Sequence, residues 1–273
     1  MTLPPTAEKS AAERRDAPAS VPGSRPEGAR DEREAGARVR EMFGHIAPRY
    51  DFLNHFLSFS FDRLWRRRTA KRFSAILARP DARVLDLCCG TGDLAFALSR
   101  RRAELHGKSD SRCLIVGSDF AIPMVELATG KGQAGGFPTH FLAGDALSLP
   151  FADASFDLVT AGFGFRNLAN YERGLREIAR VLKPGGEVGL LEFSDPRNGI
   201  GAAAFRFYFR HILPRIGGAI SGDASAYSYL PNSVIKFPPP ADLAQWMERA
   251  GFADVDFKLW NFGSVALHTG RKP

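Results

Sequence analysis

The residues best equipped for chemistry fall in one short run, Asp86-Leu87-Cys88-Cys89-Gly90-Thr91-Gly92-Asp93. Gly90 and Gly92 permit a tight turn and a close approach of ligand to backbone, and a helix starting just beyond them presents free amide groups. Two more acids follow, each closing a short apolar run: Asp119, and Asp145 beside Ala146. A carboxylate at Asp86 suits a cationic ligand such as an ammonium group and sits poorly beside a pyrophosphate. The two oxygens of Asp119 can accept from ribose hydroxyls, and Asp145-Ala146 is placed to hold an adenine amino group. A nucleoside that also carries positive charge, as S-adenosylmethionine does, meets all three demands. Gly90-x-Gly92-x-x-Ala95 also satisfies the dinucleotide fingerprint, so a nicotinamide-dependent dehydrogenase is the rival reading. Against it, Asp119 lies 27 residues past Gly92, where the dinucleotide unit puts its acid about 20 on.

These acids need strands to carry them. Val84 to Cys89 reads as a strand, followed by the glycine turn and a helix through Leu94, Ala95, Ala97 and Leu98. The unit recurs: a strand from Cys113 ending at Asp119, a helix from about Pro123, a strand from Thr139, a strand from Phe156, a helix from Tyr171, and a fifth strand from Glu187 to Phe193. A helix from Ala241 stops at Gly251, and two more strands, about 253–260 and 262–269, finish the chain. Such alternation predicts an α/β fold, a seven-stranded, mostly parallel sheet with helices on both faces and the ligand outside the carboxyl ends of its strands. Ahead of it, residues 39–78 have a helical pattern interrupted at Pro48 and near Ser58, an N-terminal helical cap. Residues 196–236 lack regular pattern and read as a substrate-side insertion.

Residues 1–38 hold Leu3 and Val21 as their large aliphatic residues, too few to offset the entropy of ordering, and are expected to be a disordered tail ahead of one domain, 39–273. The chain has 37 Lys and Arg against 30 Asp and Glu, and the tail carries seven of each, so the whole net charge of +7 belongs to the domain. Its densest basic run is Arg63, Arg66, Arg67, Arg68, Lys71 and Arg72 around Trp65. That run is either a solvated helix face or a membrane-surface or partner patch. Few aromatics accompany it, which argues against nucleic acid. Three cysteines make no disulfide framework, no Cys/His grouping has metal-ligand spacing, and no apolar run approaches membrane-spanning length. A cytoplasmic protein is expected, with contact at the inner face of the membrane and homodimer formation left open.

The run Asp86 to Asp93 with Asp119, Asp145-Ala146 and Glu177-Ile-Ala-Arg-Val-Leu-Lys-Pro-Gly-Gly186 resembles the Rossmann-like class I methyltransferases. Phe43 to Asn54 (FGHIAPRYDFLN), Leu57-Ser58, Trp65-Arg66, Phe163-Gly-Phe-Arg-Asn167, Leu191-Glu-Phe-Ser194, Tyr229-Leu-Pro-Asn-Ser233, Phe237-Pro238 and Gly263 to Gly270 resemble one family within it. That family is the ubiquinone/menaquinone biosynthesis C-methyltransferases of the UbiE/MenG type, and the resemblance covers residues 40–271. It implies S-adenosylmethionine as cofactor, contacts from Thr91, Asp119, Asp145 and Ala146, and a polyprenyl quinol as acceptor. Cys88 and Ser60 replace glycines of the family pattern, and the Cys-Cys pair looks more like the menaquinone-type members. The implied reaction is C-methylation of demethylmenaquinol, with the benzoquinol of ubiquinone synthesis as the alternative. A catalytically silent scaffold of a quinone-synthesis complex is the non-enzymatic one.

Methyl transfer to a ring carbon needs a quinol whose phenolic proton can leave, and so a group to stabilise phenolate and one to accept protons. Arg166, directly after the fourth strand, is the expected phenolate partner. For the proton, His45, Tyr50, Asp51 and His211 are open, with Tyr50, Asp51 and Asn54 favoured by the resemblance. Phe205, Phe207, Tyr208, Phe209, Ile212 and Leu213, interleaved with Arg206, Arg210 and Arg215, either line a groove for the isoprenoid tail, lie against a bilayer or pack in the core with the arginines exposed.

Overall fold

A computed structural model of the chain describes residues 23–26, 28–58, 60–106, 113–196, 207, 229 and 232–273. His211 and most of the 196–236 stretch, including all of the expected tail groove but Phe207, lie outside these, as does the side chain of Asn54.

The strands are β1 (Arg83–Leu87), β2 (Leu114–Asp119), β3 (Thr139–Ala143), β4 (Phe156–Gly162), β5 (Leu182–Phe193), β6 (Ala253–Trp260) and β7 (Val265–Arg271). The helices are α1 (Glu32–Leu57), α2 (Phe61–Arg72), α3 (Ser74–Leu77), α4 (Asp93–His106), α5 (Ile122–Gly135), α6 (Tyr171–Val181) and α7 (Pro240–Arg249). All seven strands join one sheet in the order β3-β2-β1-β4-β5-β7-β6. β1 to β5 run parallel and β7 enters antiparallel between β5 and β6.

Period-two alternation distributes the side chains of β1. Val84 packs with Ala95 and Leu98 of α4 and with Phe73, Ile76 and Leu77. Leu85 and Leu87 face the other way, into a core shared with Leu175 and Ile178 of α6 and Leu243 and Met247 of α7. Both faces are thus buried, as a parallel sheet requires. Strand order reverses between β1 and β4, and a crevice opens there at the carboxyl ends.

Four expectations need correction. The order extends into the supposed tail: α1 starts at Glu32, and Ala35 and Val39 are buried at 0% and 1% exposure. The signal was capping, since Asp31 Oδ1 accepts the Glu34 N–H at 2.8 Å while Glu34 Oε2 accepts the Arg30 N–H at 3.0 Å. Pro48 does not break the helix. It lies inside α1, costing a backbone bond that packing of Ala47 beside Ala121 and Met124 offsets. β5 begins at Leu182, which pairs with Phe156 before the register shifts and resumes at Glu187 opposite Leu158. Cys88 and Cys89, expected within the first strand, lie past the end of β1.

Candidate active site

The crevice holds a cavity of about 410 Å³ lined from five directions. The turn after β1 gives Cys88 and Gly90, the end of β2 gives Asp119 and Phe120, and the turn after β3 gives Gly144, Asp145, Ala146 and Leu147. The turn after β4 gives Phe163, Gly164 and Asn167, while α1 crosses above with Glu32, Arg40, Phe43 and Tyr50. The volume falls within the usual range for small-molecule sites.

Asp119, the acid expected to meet a ribose, is held in place by backbone N–H groups. Its Oδ2 accepts the Gly90 N–H and its Oδ1 the Ala121 N–H, both at 2.9 Å. The Phe120 N–H also reaches this carboxylate, and with about four lone-pair sites on its two oxygens it could still accept from a ribose hydroxyl. Burial pushes the Asp119 carboxyl above the ordinary value, and the backbone N–H donors work against that rise. Asp145 is exposed and fixed by the Leu147 N–H at 2.9 Å, and Ala146 beside it is buried. The backbone of the β1 turn is unusual, because Cys88 has φ 52° and Gly90 has φ 53°. Cys88 therefore adopts the left-handed conformation of the glycine it replaces, and so does Ser60 at φ 60°. Gly92, at φ 88°, is required sterically as well: a Cβ there would lie 2.9 Å from both Phe141 and Phe96.

Several expected residues stand behind the cavity instead of lining it. Asp86 is fully buried on the α4 side of β1, where it accepts the Ala95 N–H at 3.0 Å and the Thr160 hydroxyl at 2.8 Å. It clamps strand to helix, and burial raises its carboxyl to about 7. Thr91 is 2% exposed and donates to Asp51. Asp51 also takes Lys131 Nζ at 2.6 Å, so it is an ion-pair partner and not a free base. Tyr50, by contrast, does line the cavity, edge-on to Phe43 with ring centroids 5.9 Å apart.

Arg166 also departs from expectation. It is 4% exposed, with Nη1 3.0 Å from Glu192 Oε2 and also donating to the Phe163 carbonyl, and Nε 3.3 Å from Ser233 Oγ. Its own N–H donates to Glu192 Oε1 at 3.0 Å. Burial raises the Glu192 carboxyl and the Arg166 charge opposes that rise. The guanidinium thus organises the 163–167 turn and leaves Asn167 in the cavity wall. Asn167 Oδ1 accepts the Tyr229 hydroxyl at 3.0 Å. A second cavity of about 620 Å³, on the Arg166 side of this wall, is lined by Arg25, Arg38, Tyr229 and Lys236 among others.

Sequence reasoning missed an ionic cluster beneath the glycine turn. Lys131 of α5 joins Asp51 to Asp93, the latter at 2.8 Å. Arg66 binds Asp62 and lies 3.4 Å from Asp93, and His55 Nδ1 is 2.7 Å from Asp62. Burial pushes Asp93 upward, but Arg66 and Lys131 outweigh it and hold the carboxyl below its ordinary value. His55, Asp62 and Asp93 bring ligand atoms within 4.8 Å of one another, and Arg66 supplies the cation that such a group attracts.

The sheet order with its reversal, the antiparallel β7 and the acid at the end of β2 above a glycine turn define the Rossmann-like class I methyltransferase fold. Solved structures share the fold. One is the [4+2]-cyclase SpnF (TM-score 0.63, 19% identity, 93% of this chain and 98% of that one). Another is a SAM-dependent methyltransferase of Thermotoga maritima, described as a possible histamine N-methyltransferase (TM-score 0.58, 18% identity, 85% and 98%). The chain belongs to the ubiE/COQ5 methyltransferase family, whose profile matches residues 30–272. It is 48% identical over 242 residues to the demethylmenaquinone methyltransferase of Deinococcus radiodurans, covering 89% of this chain and 95% of that one. It is 47% identical to the protein of the same name from Thermus thermophilus, over 85% and 100%. To the ubiquinone/menaquinone biosynthesis C-methyltransferase UbiE of Geotalea daltonii it is 42% identical, over 88% and 98%. It is a methyltransferase.

Proposed function

We propose that this enzyme methylates a ring carbon of demethylmenaquinol with S-adenosylmethionine as donor, the last step of menaquinone synthesis, in the cytoplasm. The observation that carries the reading is that one cavity holds both halves of such a reaction. Asp119 and Asp145 are suited to a nucleoside, and Phe43, Tyr50 and Phe163 offer aromatic surface to a ring. The names of the Deinococcus and Thermus relatives favour the naphthoquinol over the benzoquinol.

S-adenosylmethionine supplies a methyl group on a positively charged sulfur. The residues have the rest of the work. Asp119 would accept from the ribose hydroxyls and Asp145 would take the adenine amino group, while Phe120, Met124 and Leu147 of the same cavity would offer the base an apolar surface. Tyr50, held by α1 above Gly90, faces the acceptor and is our choice for hydrogen bonding to its phenolic oxygen. α1 also excludes water, which strengthens every polar interaction beneath it. Holding two reactants in one enclosed volume is a large part of what a protein contributes to an in-line displacement.

The deciding assay supplies radiolabelled S-adenosylmethionine and, separately, reduced demethylmenaquinol, its oxidised quinone and the corresponding benzoquinol. Label is expected in the naphthoquinol and not in the oxidised quinone, whose ring carbon is electron-poor. If S-adenosylhomocysteine binds but no naphthoquinol is labelled, the acceptor assignment is wrong.

A further inference from the structure

Phe262 is 89% exposed and has φ 58° and ψ 24°. A phenylalanine with its ring in water and its backbone in the left-handed region is favoured by neither burial nor conformation. The turn that carries it, Asn261–Gly263, joins β6 to β7 and is anchored: Asn261 Oδ1 accepts the Trp65 Nε1–H of α2 at 3.1 Å. The Arg68 guanidinium lies 5.9 Å from the ring centroid of Trp260, just before the turn. α2 therefore stands beside Phe262, and its outward side is of one character. Phe61 and Leu64 are exposed, at 46% and 38%, and Arg63, Arg67, Arg68 and Lys71 are exposed around them. The single acid of α2, Asp62, is buried against Arg66. Apolar tips within a field of positive charge that is paired with no acid among the described residues fit an anionic lipid surface.

The surface also communicates with the cavity. Trp65 lies under Phe61, centroids 6.2 Å apart, and against Phe163, 5.8 Å away, and Phe163 lines the cavity. Among the described residues no helix is long and apolar enough to cross a membrane, so any attachment of this part is peripheral.

We propose that the outer face of α2 and the 261–263 turn form a docking surface for an anionic bilayer. Phe262, Phe61 and Leu64 enter the headgroup zone, and Arg63, Arg67, Arg68 and Lys71 meet lipid phosphates. The surface rests on exposure and charge. Its use, to bring the cavity to an acceptor dissolved in the bilayer, rests on the quinol reading above.

The test is co-sedimentation of the full chain with vesicles of phosphatidylcholine alone and with about a third phosphatidylglycerol. Binding is expected to the anionic vesicles only and to weaken with salt. Arg63→Gln with Arg67→Gln should lower the partition coefficient by about 30-fold, at roughly 1 kcal/mol per lost cation. Phe262→Gly separates docking from folding: glycine suits the backbone there, so the thermal midpoint should hold or rise while vesicle binding falls several-fold. Absence of binding to anionic vesicles, or equal binding by these variants and the parent, overturns the surface. Because vesicle binding needs no acceptor, that result would leave the quinol assignment standing. If binding behaves as expected but no quinol is methylated, the surface stands and the acceptor reading falls.

Discussion

Lys131 and Asp51, far apart in the chain, meet at 2.6 Å and join the long N-terminal helix to the floor of the cavity. Lys131 also reaches Asp93 at the start of α4 and Thr91 in the glycine turn. One ammonium thus fixes α1, and with it Tyr50, over the turn. Lys131→Met leaves two carboxylates facing each other. Both ion pairs are about a third exposed or less, so a stability loss of about 1 kcal/mol is expected. The larger effect should be local, with faster amide exchange in residues 45–58 and kcat/KM down about tenfold. Unchanged exchange in that segment would show that α1 is held by other contacts.

Arg166 and Glu192 form a pair with almost no access to water, 5% and 0% exposed as side chains. Removing one partner strands the other charge, so Glu192→Ala should cost about 3–5 kcal/mol by chemical denaturation. Arg166→Met in the same chain should recover part of that loss. A double variant no more stable than Glu192→Ala alone would mean that the charge pairing is not what holds the turn.

Asp86 gives the protein a pH dependence of definite sign. Its carboxyl rises from 3.8 to about 7 in the folded state, chiefly through burial. Between about pH 4 and pH 7 the folded state then binds the proton more tightly than the unfolded one. This contribution is complete at low pH and is lost as pH rises through 7. Asp86→Asn keeps an acceptor for the Ala95 N–H and a donor for Thr160. Denaturation midpoints across this window should flatten in the variant, with a gain at pH 8. A profile parallel to the parent's would remove Asp86 as its source.

Gly164 packs directly on Cys88, and a Cβ added to it would lie 2.3 Å from the Cys88 Cβ. Gly164→Ala should be destabilising by about 1–3 kcal/mol through overpacking. Cys88→Gly should be neutral or stabilising, since the backbone there is already left-handed, and should partly rescue Gly164→Ala. Additive effects in the thermal midpoints of the two single variants and the double would rule out the contact.

The parallel strands were legible because each is an apolar run closed by an acid or glycine, and Asp119, Asp145 and Ala146 line the cavity as their positions at strand ends imply. Strand position alone could not say which way a side chain turns. Asp86 lies one residue from Leu87 and two from Val84, and its alternation sends it under α4. Glu192, the lone acid in the buried run Gly189-Leu190-Leu191-Glu192-Phe193, could have been paired with Arg166 beforehand, because a carboxylate in such a strand demands a cation. Lys131 left no such trace. It sits in an exposed-looking helix, and its partners are fixed only when α1, α4 and α5 come together.

Cys88 places a sulfur in the wall of a cavity for which we propose an alkylating cofactor. Burial, then the charges of Asp119, Glu192, Asp86 and Asp145, push its thiol well above the ordinary value. The thiolate is the nucleophilic form, so the acids suited to hold the donor also keep this sulfur protonated and inert. With S-adenosylmethionine as the donor, this predicts that the wall is not itself methylated, and intact mass should stay constant through prolonged incubation with the donor alone.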